Sequence, residues 1–289
     1  MTDTLLVGDR AYSSWSLRGW LLFEKFGLPV TTRDVDLSAD SVAAQLSDVP
    51  PAVTVPTLVT GDGTVIWDSL AIAEDLAERY PDAGFWPADP GARATARALT
   101  AEMHASFHAL RGTCPMNLRT AYTGVTPTAG VRADLDRLDV LWAHARAISG
   151  AGPWLFGAYS IADAFFAPVA ARIAGFALPV SDAAGAYVAA HLADPAFRRW
   201  RAMGCIQGET LARYAQDHAT RSWPGPEPLP ARAVDAGMPE NASCPYSGLA
   251  VTHLAEIGGR IFGFCNAFCR DKTVFDARAW PPFVEVYDS

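Results

Sequence analysis

Tyr12-Ser13-Ser14-Trp15-Ser16-Leu17-Arg18 decides the reading of this chain. It follows Thr4-Leu5-Leu6-Val7, a short apolar run that reads as a buried strand. It opens a stretch, Ser16 to Phe26, in which Leu17, Trp20, Leu21 and Phe23 recur at helical spacing. Glu24 and Lys25 mark the wet side of that helix, Gly27 suits its C-terminal end and Pro29 blocks its continuation. A strand running straight into a helix leaves free backbone N–H groups and the positive dipole end at the junction. Anions settle at such ends, and a thiol placed there has a lowered pKa. No cysteine occupies the segment, so a thiol held there has to come from a ligand, and serine hydroxyls stand ready to bond its anion. Serines in front of a helix also act as N-caps, and this segment alone leaves both roles open.

The surroundings repeat the alternation. Val30 to Leu37 reads as a strand, Ser41 to Leu46 as a short helix and Val55 to Val59 as a strand beginning near a proline. Gly61-Asp62-Gly63 is a hairpin turn signal before Thr64 to Trp67, and Asp68 or Ser69 can cap a helix that runs to Tyr80. The order β-α-β-α-β-β-α predicts a small mixed sheet with helices over it, residues 1–82. Residues 88–221 read as all-helical: Arg93 to Arg111, Val131 to Ile148, Ala164 to Phe176 behind a capping-box-like Ser160-Ile161-Ala162-Asp163, and more helices from Pro179. Residues 222–240 hold four prolines between Trp223 and Pro230 and read as an extended linker. Residues 241–289 form a third, small unit, with strands at Ala250 to Ile257 and Arg260 to Phe264 around Gly258-Gly259, and a short helix or turn from Cys269 to Val274.

Two further places bear on the first. A cis bond at Val55-Pro56 would turn the Val55 backbone outward, where it can pair with a peptide-like ligand. Asp68-Ser69 at a helix start can hold an ammonium on the carboxylate and a carboxylate on the N–H groups. Together the three places suit a small peptide carrying a thiol, an amine and carboxylates.

On these motifs, with Ser160 to Asp163, the chain resembles the glutathione transferase family over roughly Thr4 to Arg221. The resemblance implies a thioredoxin-like α/β domain, an all-α domain, a homodimer and glutathione as the thiol substrate. Its first motif is most similar to the Ser-Ser-Cys segment of the zeta class, whose first serine activates the thiol and falls on Ser13. Ser14 and Tyr12 compete for that role. Trp15 stands where the zeta motif has cysteine, a departure that bears on zeta-type isomerisation of maleylacetoacetate. The resemblance also implies that Pro56 is cis, that Val55 bonds the cysteinyl backbone, and that Asp68 and Ser69 hold the γ-glutamyl end. Arg18 adds positive potential for the anionic tripeptide. The expected reaction is addition of the thiolate to a small electrophile, or reduction of a peroxide. Lowering a thiol pKa from about 8.5 by about two units gives roughly 25-fold more thiolate at neutral pH, for about 2.7 kcal/mol. For the electrophile pocket, His104, Phe107, His108 and Arg111 share a helical spacing, and Trp15 can form the opposite wall. That stripe reads equally as a dimer face or core packing.

Cys244, Cys265 and Cys269 follow a C-x20-C-x3-C spacing, three of only five cysteines in the chain. Three thiols fall one short of the four ligands usual for structural zinc, and Cu(I) can use fewer. His253 is a candidate fourth ligand. The segment resembles TRASH and YHS-like metal-binding modules through Cys244-Pro245-Tyr246-Ser247-Gly248 and Phe264-Cys265-Asn266-Ala267-Phe268-Cys269. A rival reading of the whole chain follows: a non-catalytic transferase fold whose cysteines bind or sense a zinc or copper ion. Buried thiols used only for packing are the plainer alternative.

The bulk numbers set bounds. Half of the 289 residues are hydrophobic and 19% are charged, which excludes a disordered chain. A formal net charge of −8 argues against a nucleic-acid partner. No apolar stretch reaches the ~18 residues of a membrane span, and no signal-like segment opens the chain, so a cytoplasmic protein is expected.

Overall fold

The computed structural model describes residues 2–39, 41–150 and 152–289. The chain divides into two compact units, Met1–Leu192 with Thr210–Pro224, and Ala193–Glu209 with Gly225–Ser289. Among the described residues no helix is long and apolar enough to cross a membrane.

The first unit begins with β1 (Thr4–Val7), α1 (Ser14–Glu24), β2 (Thr31–Asp34), α2 (Val42–Gln45), β3 (Thr57–Val59), β4 (Val65–Ile66) and α3 (Ser69–Arg79). The sheet order is β2-β1-β3-β4, with β1 parallel to β2 and antiparallel to β3. β1 is buried from Leu5 to Val7, so its inner run needs cover on both faces, and α1 and α3 pack beside one another against this layer. Gly19 lets α1 come close to the β3 approach: a Cβ there would sit 3.0 Å from the Pro56 ring. This is the mixed sheet expected from the element order and the thioredoxin-like layer that the resemblance implies. β2 is shorter than the run read from Val30 to Leu37, because only Thr31 to Asp34 find partners on β1.

The helical part holds α4 (Pro90–Ala105), α5 (His108–Thr113), α6 (Ala129–Ser149), α7 (Ile161–Gly175) and α8 (Asp182–Ala193). α7 is buried along its whole length and packs on α1 and α4. Its start is held by Asp163, which accepts from the Ser160 N–H (2.9 Å), the Leu155 N–H (3.1 Å) and the Tyr187 hydroxyl (2.8 Å). A short ribbon that the helical pattern did not foretell pairs β5 (Ala121–Thr123) with β6 (Ala219–Arg221).

The single helix expected over Arg93 to Arg111 is two. Ser106 is extended and Phe107 takes a left-handed conformation, φ 61°, so the chain turns between α4 and α5. The restart is held from outside, because the Leu110 N–H donates to Asp134 on α6 at 2.8 Å.

The second unit is assembled from two stretches of chain. It contains α9 (Pro195–Ile206), the sheet β7 (Ala231–Val234), β8 (His253–Ile257) and β9 (Arg260–Phe264), then α10 (Ala267–Phe275) and α11 (Pro281–Asp288). All three strands are antiparallel neighbours in the order β7-β8-β9. Gly258 and Gly259 form the β8–β9 turn at φ 58° and 80°, values that glycine takes at no steric cost. β7 lies inside the stretch read as linker, so the extended proline segment ends at Pro230 and the chain then joins the sheet. α9 packs on α10 and contributes Ala202 to a core of Phe262, Phe264, Trp280 and Phe283. Arg198 of α9 forks onto Asp276 at 2.5 and 2.8 Å.

Candidate functional site

A cavity of about 820 Å³ opens in the first unit, where the start of α1 meets α5 and α7. Ser13, Ser14, Trp15, Val55, Pro56, Asp68 and Ser69 all line it, so the three places singled out in the sequence converge. The Val55–Pro56 peptide is cis.

The two serines differ. Ser13 is the N-cap of α1: its Oγ accepts from the Ser16 N–H at 3.2 Å and donates to the Ser16 hydroxyl at 2.8 Å. The Ser16 hydroxyl in turn accepts from the Gly8 N–H. The Ser13 hydroxyl proton is therefore committed inside the cap. Ser14, the first residue of α1, accepts from Arg172 Nη2 at 3.3 Å, which leaves its O–H to donate into the cavity. Tyr12 is buried, stacks on Tyr214 at 4.6 Å and accepts from the Leu211 N–H at 3.2 Å. Burial raises its pKa further, so its hydroxyl ties down the segment around Leu211 and is poorly placed to ionise.

Asp68 caps α3, accepting from the Leu70 N–H at 3.0 Å, and meets His104 Nε2 at 3.1 Å. Ser69 is fully buried, and its hydroxyl oxygen has no hydrogen-bond partner among the described residues. A buried hydroxyl without a partner costs about 1–3 kcal/mol, which a ligand can recover.

Two expected wall residues sit elsewhere. Phe107 is in the core, because its positive φ turns the side chain away from the α5 face. His104 stands behind the wall, edge-on to Trp15 at 5.1 Å, and burial lowers its pKa despite the adjacent Asp68. Arg18, expected to add positive potential for the tripeptide, does not line the cavity: it is buried, its guanidinium 4.4 and 5.0 Å from the ring centres of Trp15 and Phe165. His108 and Arg111 do line the cavity, and the Arg111 guanidinium lies over the Trp15 ring, 4.7 Å from its centre.

Sequence reasoning missed Arg172, which also lines the cavity. Burial and the nearby Arg111 charge push it down to about 10. Its signal was available: it is the one charged residue between Ala164 and Phe176. Arg18, Arg111 and Arg172 thus concentrate positive charge at this end of the cavity, and burial plus mutual repulsion depress Arg18 as well. Cys114 is buried and its thiol is raised to about 11 by burial, so it is an unreactive thiol at neutral pH.

Residues 12–79 match the family model described as glutathione S-transferase, N-terminal domain. A Burkholderia BGR1 glutathione transferase homolog, solved with bound glutathione, superposes with TM-score 0.54 at 26% identity, over 72% of this chain and 100% of that one. This chain has a glutathione transferase fold. A glutathione transferase from Methylococcus capsulatus Bath superposes with TM-score 0.53 at 23% identity, over 71% of this chain and all of that one. A Caenorhabditis elegans protein described as a probable maleylacetoacetate isomerase is 41% identical over 91 residues, 32% of this chain and 41% of that protein. Drosophila melanogaster glutathione S-transferase D7 is 35% identical over 77 residues, 26% of this chain and 34% of that protein. The chain therefore spans well under half the length of the curated relatives it matches.

In the second unit the sulfurs of Cys244, Cys265 and Cys269 lie within 4.8 Å of one another, and all three are free thiols. A zinc–thiolate bond of about 2.3 Å sets tetrahedral neighbours about 3.8 Å apart, and Cys265 and Cys269 stand at 4.0 Å. The donor set thus fits a soft ion. Burial pushes the Cys244 thiol up, but N–H groups of Tyr246 and Cys265 and the Ser247 hydroxyl outweigh it and bring it to about 7. His253 is not part of the cluster; its Nδ1 faces the Thr252 hydroxyl at 2.9 Å.

Proposed function

We propose that the first unit is a glutathione-dependent transferase acting on a small, anionic electrophile. The observation that carries the reading is the Ser14 hydroxyl: it stands at a helix N-terminus, takes a bond from Arg172 and keeps its proton for the cavity. In this reading Val55 pairs with the cysteinyl backbone of glutathione, and Asp68 and Ser69 take its γ-glutamyl end. The thiol loses its proton to solvent, and the Ser14 O–H and the helix dipole hold the thiolate. The thiolate then forms a carbon–sulfur bond with the electrophile, whose displaced electron pair leaves with a leaving group or moves onto a conjugated carbonyl. Arg111 and Arg172 favour an electrophile that carries a carboxylate, because each is partly or wholly desolvated and gains from a counter-charge. Conjugation and isomerisation share this first step, so both remain open to the same site. The test compares a carboxylated electrophile with its neutral amide at equal intrinsic reactivity. Preference for the acid, reduced in Arg111→Leu, supports the reading; equal rates in both proteins overturn the anionic part of it. A homodimer is the assembly expected, and sedimentation measures it.

A second activity is favoured by a separate observation, the spacing of the three thiols: the second unit binds a metal ion. About 80 residues make a modest core, and a metal would add folding energy. Elemental analysis of protein purified without chelator decides this, and metal far below one equivalent per chain removes it.

A further inference from the structure

We propose that Tyr214, on the segment leading from α9 to β6, sets the size of the electrophile, and that Tyr12 is the positioning residue that holds it against the cavity; this rests on the transferase reading above. Tyr12 and Tyr214 both line the cavity, and so does Leu37. The Tyr214 ring stacks on that of Tyr12, with centres 4.6 Å apart and planes 26° from parallel. Thr210–Pro224 belongs to the first unit, so all of these residues lie within it.

The segment is held at a few discrete points. Within residues 209–218 the side chains of Leu211, Tyr214 and Gln216 are half-buried and the others are exposed. The Leu211 N–H donates to the Tyr12 hydroxyl at 3.2 Å, and the Gln216 N–H donates to the Tyr122 hydroxyl at 3.2 Å. Between these two bonds runs a single turn, Ala212–Tyr214, from which Arg213 Nη2 donates to the Leu37 carbonyl at 2.6 Å. The turn that carries Tyr214 is thus fastened to two other residues of the cavity wall, one before α1 and one after β2. A stretch with so few buried contacts opens locally at low cost, so the loss of one bond is felt.

The Tyr214 ring is already engaged by Tyr12 and by the Arg213 guanidinium, 5.4 Å from its centre. It therefore bounds the cavity as a steric wall rather than as a free stacking face. At about 820 Å³ the cavity falls in the upper part of the roughly 300–1,000 Å³ range of small-molecule sites, so a second substrate fits beside a tripeptide and its wall decides how bulky that substrate can be.

The test uses full-length protein and two carboxylated enones, acetylacrylate and benzoylacrylate, each rate corrected for the uncatalysed addition of glutathione. In Tyr214→Ala the ratio of kcat/KM for the benzoyl over the acetyl compound should rise about tenfold, and in Tyr214→Phe, which keeps the wall, it should stay within about twofold of wild type. Tyr12→Phe keeps the stacked ring and removes the acceptor for Leu211. It should raise the same ratio about threefold, speed amide hydrogen exchange at Leu211 about tenfold or more in protein without substrate, and leave the thiol pKa of bound glutathione unchanged. Melting temperatures show that each variant folds. An unmoved ratio in folded Tyr214→Ala overturns the size role. Unchanged exchange at Leu211 in Tyr12→Phe overturns the positioning role, and a raised thiol pKa there assigns Tyr12 to thiol activation instead. Wild type that adds glutathione to neither enone removes the transferase reading, while the exchange measurement still decides whether Tyr12 holds the segment.

Discussion

Ser14→Ala should uncouple glutathione activation from glutathione binding. In the free protein Ser14 Oγ accepts from Arg172 at 3.3 Å, so its own proton is available to a thiolate. A hydrogen bond to a charged acceptor contributes about 1.5–3 kcal/mol, equivalent to about one to two pKa units. Removing it should raise the bound thiol's pKa by about that much. The rate at low substrate should then fall roughly 10- to 100-fold at pH 6.5, and the two proteins should converge in alkaline solution, where the thiol ionises unaided. The direct assay is ultraviolet titration of the thiolate in the binary complex, with the pH profile of kcat/KM beside it. Ser13→Ala is the control, because Ser13 holds the α1 cap. It should lose about 1 kcal/mol of stability and leave the bound thiol's pKa within a few tenths of a unit. A raised thiol pKa in Ser13→Ala with an unchanged one in Ser14→Ala would refute the reasoning.

Ser69→Ala should raise the KM for glutathione about tenfold with little change in kcat, since its buried, unpartnered hydroxyl has nothing to do without ligand. Asp163→Ala should cost about 3 kcal/mol or more in denaturant unfolding, because the Tyr187 hydroxyl and the Ser160 and Leu155 N–H groups lose their acceptor together. His191 is fully buried, and burial with the Lys25 charge lowers its pKa to about 3. The folded state keeps it neutral while the unfolded state protonates below about pH 6.5, so stability should fall as pH drops from about 6.5 toward 3, by up to about 1.4 kcal/mol per unit. His191→Phe should flatten that slope in urea titrations at stepped pH; an unchanged slope would count against it.

The sheet and its helices were legible because each rests on a local signal. β1 is a pure apolar run, Gly61-Asp62-Gly63 marks a turn, and Asp68 caps the helix after it. The convergence of Ser13–Ser14, Val55–Pro56 and Asp68–Ser69 was legible too, since all three sit at element starts at one end of the sheet. What escaped depends on partners far along the chain. The break at Phe107 is stabilised by Asp134, and the ribbon β5–β6 joins residues almost a hundred apart. β7 was hidden among prolines because its identity as a strand comes from β8. The feature that distinguishes Ser14 from Ser13 in the proposed reading is its bond from Arg172 on α7, and no spacing rule reaches it.

The two-stretch construction of the second unit has a consequence for how the protein can be cut. Between α8 and the ribbon strand β6 the chain leaves the first unit, contributes α9, and comes back before leaving again at Gly225. A stop at residue 225 would not trim off an accessory; it would strand α9 without its sheet, baring Ala202 and Met203 and orphaning Arg198 from Asp276. Conversely, a fragment starting at Gly225 would lack one wall of its own core. The cysteine-bearing unit is thus discontinuous in sequence, and no single cut of the chain releases it whole.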